Sequence, residues 1–171
     1  SSSTVALALG DALVAAILWA RGFDSLDFAR LHPSGQLGRN LWLKVDDVMH
    51  KKYQVACVSE ETTLRQVVIA MSKFPLGAAC VLDGSDKLVG IITDGDMRRI
   101  LQTNEDTRLL LAKDVMTPHP ITILCDATLK EAADCMENRS SQISVLPVLN
   151  HEGGFKGLIR IHDIYQSDLN I

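Results

Sequence analysis

Apolar residues in the middle of the chain follow first a helical and then a strand-like pattern. Leu64, Val67, Val68 and Met71 recur at the three- and four-residue spacing of an amphipathic helix. The apolar runs after them lack polar alternation, which is typical of strands covered on both faces or buried at an interface. The predicted elements are a strand near residues 54–58, a helix from Thr62 or Thr63 to about residue 73, strands at 78–82 and 88–93, and a helix that Asp94 caps and that ends near residue 102.

The same succession of patterns returns 67 positions later. Residues 47–49 (Asp-Val-Met) reappear at 114–116, and Gly90 of the last strand reappears as Gly157. The second set of predicted elements comprises a strand near 122–124, a helix at 128–138, strands at 144–149 and 155–160, and a helix at about 161–167. Because similar units usually pack about a two-fold axis, the repeat predicts an α/β (α+β) fold. It consists of two β-α-β-β-α units with pseudo-two-fold symmetry, paired sheet to sheet.

The first twenty residues predict a helix that is apolar on nearly all sides. Hydroxyl side chains at 1–4 can cap it, and it runs from Val5 to about Arg21, with Gly22 just beyond its end. A helix of this kind belongs inside a larger domain. The stretch is too short to span a bilayer and contains Asp11, and no basic segment precedes it. We therefore expect neither a membrane span nor a signal peptide.

The segment before the repeat predicts a short helix and then a turn. The helix runs from Asp24 or Ser25 to Leu31, and a proline and two glycines follow within residues 32–38. The predicted domains are residues 1–40, 41–105 and 106–171. Because the chain begins with Ser1 and its first helix needs cover, we expect it to be the C-terminal part of a longer protein.

Composition and charge exclude several classes of function. The 171 residues are 47% apolar, which is ample for a packed core. The net charge is −4 and no basic stripe occurs, so no nucleic-acid partner is expected. Four cysteines lie far apart without a Cys-x-x-Cys pair, so we expect no metal site and a reducing, cytoplasmic location.

Two motifs of the repeat resemble those of cystathionine-β-synthase (CBS) domains. This family has Val-Met-Thr near the start of each copy and Gly-x-x-Thr-x-x-Asp at the end of the last strand. The second copy matches the first motif with residues 115–117, and the first copy matches the second motif with residues 90–96. The resemblance covers the chain from about Val45 onward and implies tandem CBS domains.

Residues 9–39 resemble a second family. The matching segments are Leu-Gly-Asp-Ala-Leu at 9–13, Ala-Arg-Gly-Phe at 20–23, Asp-Phe-Ala at 27–29, His-Pro-Ser-Gly at 32–35 and Leu-Gly-Arg at 37–39. They look like the end of the sugar-isomerase (SIS) domain of bacterial arabinose-5-phosphate isomerases, which join an SIS domain to a CBS pair. Ser34 departs from the glycine usual there. The resemblance implies that the intact protein is a homodimer or homotetramer that interconverts ribulose 5-phosphate and arabinose 5-phosphate for 3-deoxy-manno-octulosonate (Kdo) and lipopolysaccharide synthesis, without a required cofactor.

His32 is the catalytic candidate that this resemblance supplies. Aldose–ketose isomerisation moves a proton between adjacent carbons and needs a group that opens the sugar ring, and an imidazole can do either. The alternative is a turn histidine that only hydrogen-bonds locally. The remaining acid–base and phosphate-binding groups belong to the part of such an enzyme outside this sequence, so we expect the chain alone to be inactive.

Thr93 and Asp96 are candidate nucleotide ligands in the first copy. A hydroxyl and a carboxylate three residues apart, at a strand-to-helix turn, can face one ligand. The carboxylate accepts from ribose hydroxyls, and the helix start, at Asp94, offers amides to phosphate. Arg98 and Arg99 follow in the same helix and can reach phosphate. The alternative is a simple helix cap with solvated arginines.

The second copy departs from the motif at one position. Arg160 stands where the first copy has threonine, whereas Asp163 is retained. Arg160 either pairs with Asp163 and fills the ribose site, or binds an anionic ligand. Thr117, His119 and His162 lie near the same turn and are further candidates, with exposed surface as the alternative for the histidines. We expect the two sites to be non-equivalent.

Two functions of different classes remain open for the repeat. In the first, it regulates the isomerase by sensing an adenosine nucleotide or a pathway product such as CMP-Kdo. In the second, it is a structural module that dimerises and holds catalytic domains together without a ligand. Titration with adenosine and cytidine nucleotides distinguishes the two.

Overall fold

The computed structural model describes residues 2–23 and 43–166. The chain forms two compact units, residues 1–42 and 43–171. The first unit contains helix α1 (Ser2–Ala20), which begins three residues earlier than the sequence predicts. The short helix predicted after Asp24 and the turn that contains His32 lie outside the described residues.

Helix α1 carries apolar side chains around its whole circumference. All side chains from Ser3 to Ala20 are exposed in the structure, and Asp11 is the one charged residue among them. This segment is long and apolar enough to cross a membrane, a test that core helices of soluble proteins also pass. The argument from length against a membrane span is therefore wrong for this helix. Its place inside a larger domain stays a prediction.

The second unit contains the two repeats, each with short elements that the sequence pattern did not reveal. The first copy comprises α2 (Val45–Val48), β1 (His50–Lys51), a 3-10 helix (Lys52–Gln54), β2 (Ala56–Ser59), α3 (Leu64–Lys73), β3 (Ala78–Leu82), β4 (Leu88–Thr93) and α4 (Asp94–Thr103). The second comprises α5 (Ala112–Val115), β5 (Thr117–Pro118), β6 (Ile123–Leu124), α6 (Leu129–Glu137), β7 (Val145–Leu149), β8 (Phe155–Arg160) and α7 (Ile161–Tyr165). Strands β3, β4 and β8 have the predicted bounds, whereas α2, α5, β1 and β5 were missed.

Each copy contributes its first strand to the sheet of the other copy. One sheet has the order β2-β3-β4-β5 and the other has the order β1-β8-β7-β6. His50 of β1 lies opposite Leu158 of β8, and Thr117 of β5 lies opposite Ile91 of β4. The residues of these two pairs correspond to each other across the 67-residue offset. This reciprocal exchange confirms the pseudo-two-fold relation that the repeat predicts.

Glycine makes the exchange possible. A Cβ atom on Gly157 would collide with the backbone carbonyl oxygen of His50, and one on Gly90 would collide with the side chain of Met116. Any larger residue at Gly157 would push β1 away from β8. Strand packing therefore explains why glycine stands at the first position of the Gly-x-x-Thr motif, independently of any role in ligand binding.

Apolar residues form three clusters in a helix–sheet–sheet–helix arrangement. The central cluster draws on both sheets, with Cys80 from one and Val145 and Leu158 from the other. Alternate residues of β3 point away from it into an outer cluster, where Val81 packs with Val67 of α3. All five residues of β3 are buried. The prediction of apolar strands covered on both faces is confirmed.

Candidate ligand-binding cleft

A cleft of about 670 Å³ opens between the two copies, where β4 leads into α4 and β8 leads into α7. The residues predicted from the sequence that line it are Thr93, Asp94, Asp96, Arg98, Arg99, Thr117, His119, Arg160 and His162. Asp163 is not in the lining but holds Arg160 from behind. His32 lies outside the described residues. The structure thus brings nine predicted residues from both copies to one cavity.

The cleft also has walls that the sequence pattern did not reveal. Ser141, Gln142 and Ser144 contribute polar groups from the loop before β7. Ile121 and Val145 contribute apolar surface. A polar loop beside an apolar wall is the usual construction of a small-molecule site. The loop before β7 is equivalent to the loop before β3 in the first copy, which also lines the cleft. The repeat is therefore the sequence feature that relates this loop to the cleft.

Thr93, rather than Asp94, caps α4. The backbone N–H and the hydroxyl of Thr93 donate to Oδ2 of Asp96 at 2.9 and 2.7 Å, and the Asp96 N–H donates to the Thr93 hydroxyl at 3.3 Å. Thr93 has the extended backbone of an N-cap residue, with φ −106° and ψ 167°. The prediction of Asp94 as the cap is therefore wrong, because Asp94 is already the first helical residue. Its N–H donates to the carbonyl of Gly77 at 3.1 Å.

The Asp96 carboxylate is buried and has a second partner. Arg99 donates from Nη1 to Oδ1 at 2.9 Å, although its own side chain is 72% exposed. Arg98 donates from Nε to the carbonyl oxygen of Asp94 at 3.3 Å. Because the Arg99 side chain is mostly exposed, it can move into solvent when a ligand group takes its place at Asp96.

In the second copy, Arg160 and Asp163 form a bidentate ion pair. Nε of Arg160 donates to both carboxylate oxygens at 3.1 and 2.9 Å, and Nη2 donates to Oδ1 at 2.5 Å. Of the two alternatives for Arg160, the structure has the pairing with Asp163. His50 of β1 adds a contact from its Nε2 to Oδ2 of Asp163 at 3.1 Å. The sequence pattern missed His50, although it stands where the second copy has Thr117.

The Arg160–Asp163 pair keeps both of its groups ionised. Burial alone raises the pKa of Asp163, but the hydrogen bond from Arg160 and the charges of His50 and Arg160 outweigh it, so the pKa lies below its ordinary value. The same hydrogen bond raises the pKa of Arg160. At neutral pH the two charges therefore remain in place and paired.

His119 has an unusual backbone at the rim of the cleft. It lies between Pro118 and Pro120 with a left-handed φ of 48°, and its N–H donates to the carbonyl of Val89 at 3.2 Å. Histidine enters this region more readily than β-branched residues do. The two prolines and the hydrogen bond together hold the backbone of His119 at the cleft.

The cleft is less acidic than the chain as a whole. Three arginines line it, Arg98, Arg99 and Arg160, together with Asp94 and Asp96. With Asp163 behind Arg160, three arginines and three aspartates balance there, whereas the full chain has a net charge of −4. The arginines give an anionic ligand partners that the rest of this acidic chain lacks at such density.

Comparison with known proteins agrees with this architecture. The sequence profile of the CBS domain family matches residues 45–103 and 112–169. The chain belongs to the CBS domain family. The matched ranges correspond to the two repeats, so the unit that forms the cleft is a CBS pair.

The whole chain is similar to one group of enzymes. Arabinose 5-phosphate isomerase KdsD of Pseudomonas aeruginosa is 42% identical over 167 residues, which cover 98% of this chain and 51% of that protein. The same enzyme of Escherichia coli strain K12 is 36% identical over 167 residues, with 98% and 50% covered. The chain spans about half the length of these curated relatives. The resemblance to this isomerase family, stated from residues 9–39 and the repeat, is confirmed.

Solved structures share the fold of the CBS pair. The CBS domain protein PAE2072 from Pyrobaculum aerophilum, complexed with AMP, superposes with a TM-score of 0.63 at 21% identity. The match covers 71% of this chain and 89% of that one. The predicted tandem CBS fold is confirmed.

Proposed function

We propose that this chain is the regulatory part of an arabinose 5-phosphate isomerase and that its CBS pair binds a nucleotide or nucleotide sugar. The observation that carries the proposal is the cleft of about 670 Å³, in which polar residues of both copies converge. The enzyme named for the relatives supports the reaction, and AMP in the PAE2072 structure supports the class of ligand.

The lining of the cleft suits the parts of a nucleotide. Thr93 and Asp96 offer a hydroxyl and a carboxylate for ribose, and Arg98 offers a guanidinium for phosphate. Ile121 and Val145 provide an apolar wall for a base. An adenosine nucleotide and CMP-Kdo share this chemistry, and they differ in the sugar acid that CMP-Kdo adds.

The catalytic part of the proposal rests on His32 in the intact enzyme. Its imidazole acts as the acid–base group or opens the ring of the pentose 5-phosphate. The rest of the active site belongs to the remaining half of the enzyme, so the chain alone is inactive. The intact isomerase works in the cytoplasm as a homodimer or homotetramer.

Calorimetric titration of the purified chain with AMP and with CMP-Kdo tests the regulatory role. We expect saturable binding of at least one of them. Absence of heat with every adenosine and cytidine nucleotide, from a folded chain, would favour the structural dimerisation module instead. Titration of an Arg98→Ala variant then checks the location, since loss of this guanidinium should weaken binding if phosphate lies in the cleft.

A further inference from the structure

We infer that the CBS pair binds one nucleotide rather than two, because Arg160 occupies the second ribose position as a built-in partner of Asp163. The inference rests on the proposed nucleotide site and concerns how many nucleotides the CBS pair binds. It follows from how the same aspartate is surrounded in the two copies, and it makes Arg160 the residue that determines the stoichiometry of the module.

The hydrogen-bonding capacity of Asp163 is already used. A carboxylate offers about four lone-pair positions. Asp163 accepts from Nε and Nη2 of Arg160, from the Arg160 backbone N–H at 3.2 Å, and has the His50 contact at 3.1 Å. A ribose hydroxyl that approached Asp163 would have to displace one of these groups.

The equivalent carboxylate of the first copy is held by a more exposed arginine. Asp96 accepts from the backbone N–H and the hydroxyl of Thr93 and from Arg99. The Arg99 side chain is 72% exposed, whereas that of Arg160 is 27% exposed. The two carboxylates are about equally buried, with side-chain exposures of 10% and 12%. A ligand can therefore release Arg99 into solvent by replacing a single hydrogen bond, but release of Arg160 would break a bidentate pair.

Both copies contribute to this closed arrangement. His50 belongs to the first copy and reaches Asp163 through the exchanged strand β1. The corresponding residue of the second copy is Thr117, for which no contact with Asp96 is described. Among the residues that the structure describes, Asp163 is thus enclosed by an arginine and a residue of the other copy, whereas Asp96 is not.

Exchanging the two motif residues tests the inference. Arg160→Thr restores the hydroxyl of the motif, and copy one already demonstrates that threonine and aspartate at these positions form a stable capping box. Thr93→Arg transfers the closing residue to the first copy. The matched control is Arg108→Thr, which removes an exposed arginine paired with Asp106 outside the cleft lining.

AMP is titrated calorimetrically into each variant, and circular dichroism checks that each is folded. We expect one AMP per chain in the wild type and in Arg108→Thr, two in Arg160→Thr, and none in Thr93→Arg. One AMP in Arg160→Thr, or two in the wild type, would overturn the inference while leaving nucleotide binding intact. If no protein binds AMP, the same series is titrated with CMP-Kdo, and no binding of either would contradict nucleotide binding itself. If Arg160→Thr does not fold, Thr93→Arg decides, since a folded variant that still binds AMP would overturn the inference.

Discussion

Thr93 and Arg160 are equivalent positions in the two copies. They give the aspartate three residues later different hydrogen-bond partners. Thr93 shares hydrogen bonds with Asp96 in a capping box, while Arg160 holds Asp163 with two guanidinium nitrogens. The sequence reveals the substitution but leaves two roles open for the arginine. The structure is needed to identify the pairing of Arg160 with Asp163, because the additional contact from His50 comes from a strand that is distant in the sequence.

Replacing Asp96 with asparagine should weaken nucleotide binding. The change removes the charge but keeps the shape, and a hydrogen bond to a charged group contributes about 1.5–3 kcal/mol. Calorimetry with AMP measures the loss. Asp106→Asn is the control, because Asp106 also pairs with an arginine but lies outside the cleft lining. Equal affinities in wild type and Asp96→Asn would remove Asp96 from the site.

Asp163 should make stability depend on pH in the acid range. Because its folded-state pKa is lowered, the ionised carboxylate stabilises the fold above the ordinary pKa of about 3.9. That contribution is lost as the pH falls through the lowered value. We expect the free energy of unfolding to fall less between about pH 5 and pH 3 in Asp163→Asn than in the wild type. Parallel pH profiles from urea denaturation would contradict this.

At the scale of the elements, Gly157 should tolerate no side chain. Alanine there meets the backbone of His50, and overpacking of this kind typically costs about 1–3 kcal/mol. Gly84→Ala is the matched control, since nothing lies within 4 Å of a Cβ at that position and the change should stay within about 0.5 kcal/mol. Denaturant unfolding of both variants gives the comparison, and equal stabilities would argue against the close approach of β1 and β8.

The long elements could be predicted from the sequence, but the exchanged strands could not. Strand β3 is a continuous apolar run, and β4 and β8 are strands of the repeated Gly motif that follow clear turns, so their bounds follow from the pattern and the repeat. Strands β1 and β5 have two residues each and no periodicity, and their partners lie in the other copy. Their pairing depends on the packing of the two sheets, which no local pattern records.

The offset of 67 between the copies is also less uniform than the sequence suggests. Val58 lies opposite Val81, and Ile123 lies opposite Val148, so Val58 and Ile123 are equivalent although they are 65 positions apart. The first copy has two additional residues around its 3-10 helix, and the second copy has two more before β7. The latter lengthen the loop that brings Gln142 to the cleft. Compensating insertions of this kind are invisible when only the outer motifs are aligned.

At the scale of the whole molecule, the intact isomerase should depend on His32. We expect His32→Ala to reduce its turnover more than tenfold, equivalent to about 1.4 kcal/mol of barrier, because the proposed acid–base group is removed. The control is His151→Ala, which removes an exposed histidine paired with Asp126 outside the cleft. A smaller loss in His32→Ala, measured as conversion of ribulose 5-phosphate, would exclude His32 from proton transfer.

The reciprocal placement of β1 and β5 has a consequence for how this module is inherited. Each sheet is completed by a strand from the other copy, so neither repeat is a finished domain by itself. Loss of one repeat from the gene would leave the survivor with an uncovered sheet edge. If a protease cuts the chain between α4 and α5, the two fragments should remain associated, because each supplies a strand to the sheet of the other. Both repeats are therefore needed for a complete fold, even though only the first carries the full Gly-x-x-Thr-x-x-Asp motif.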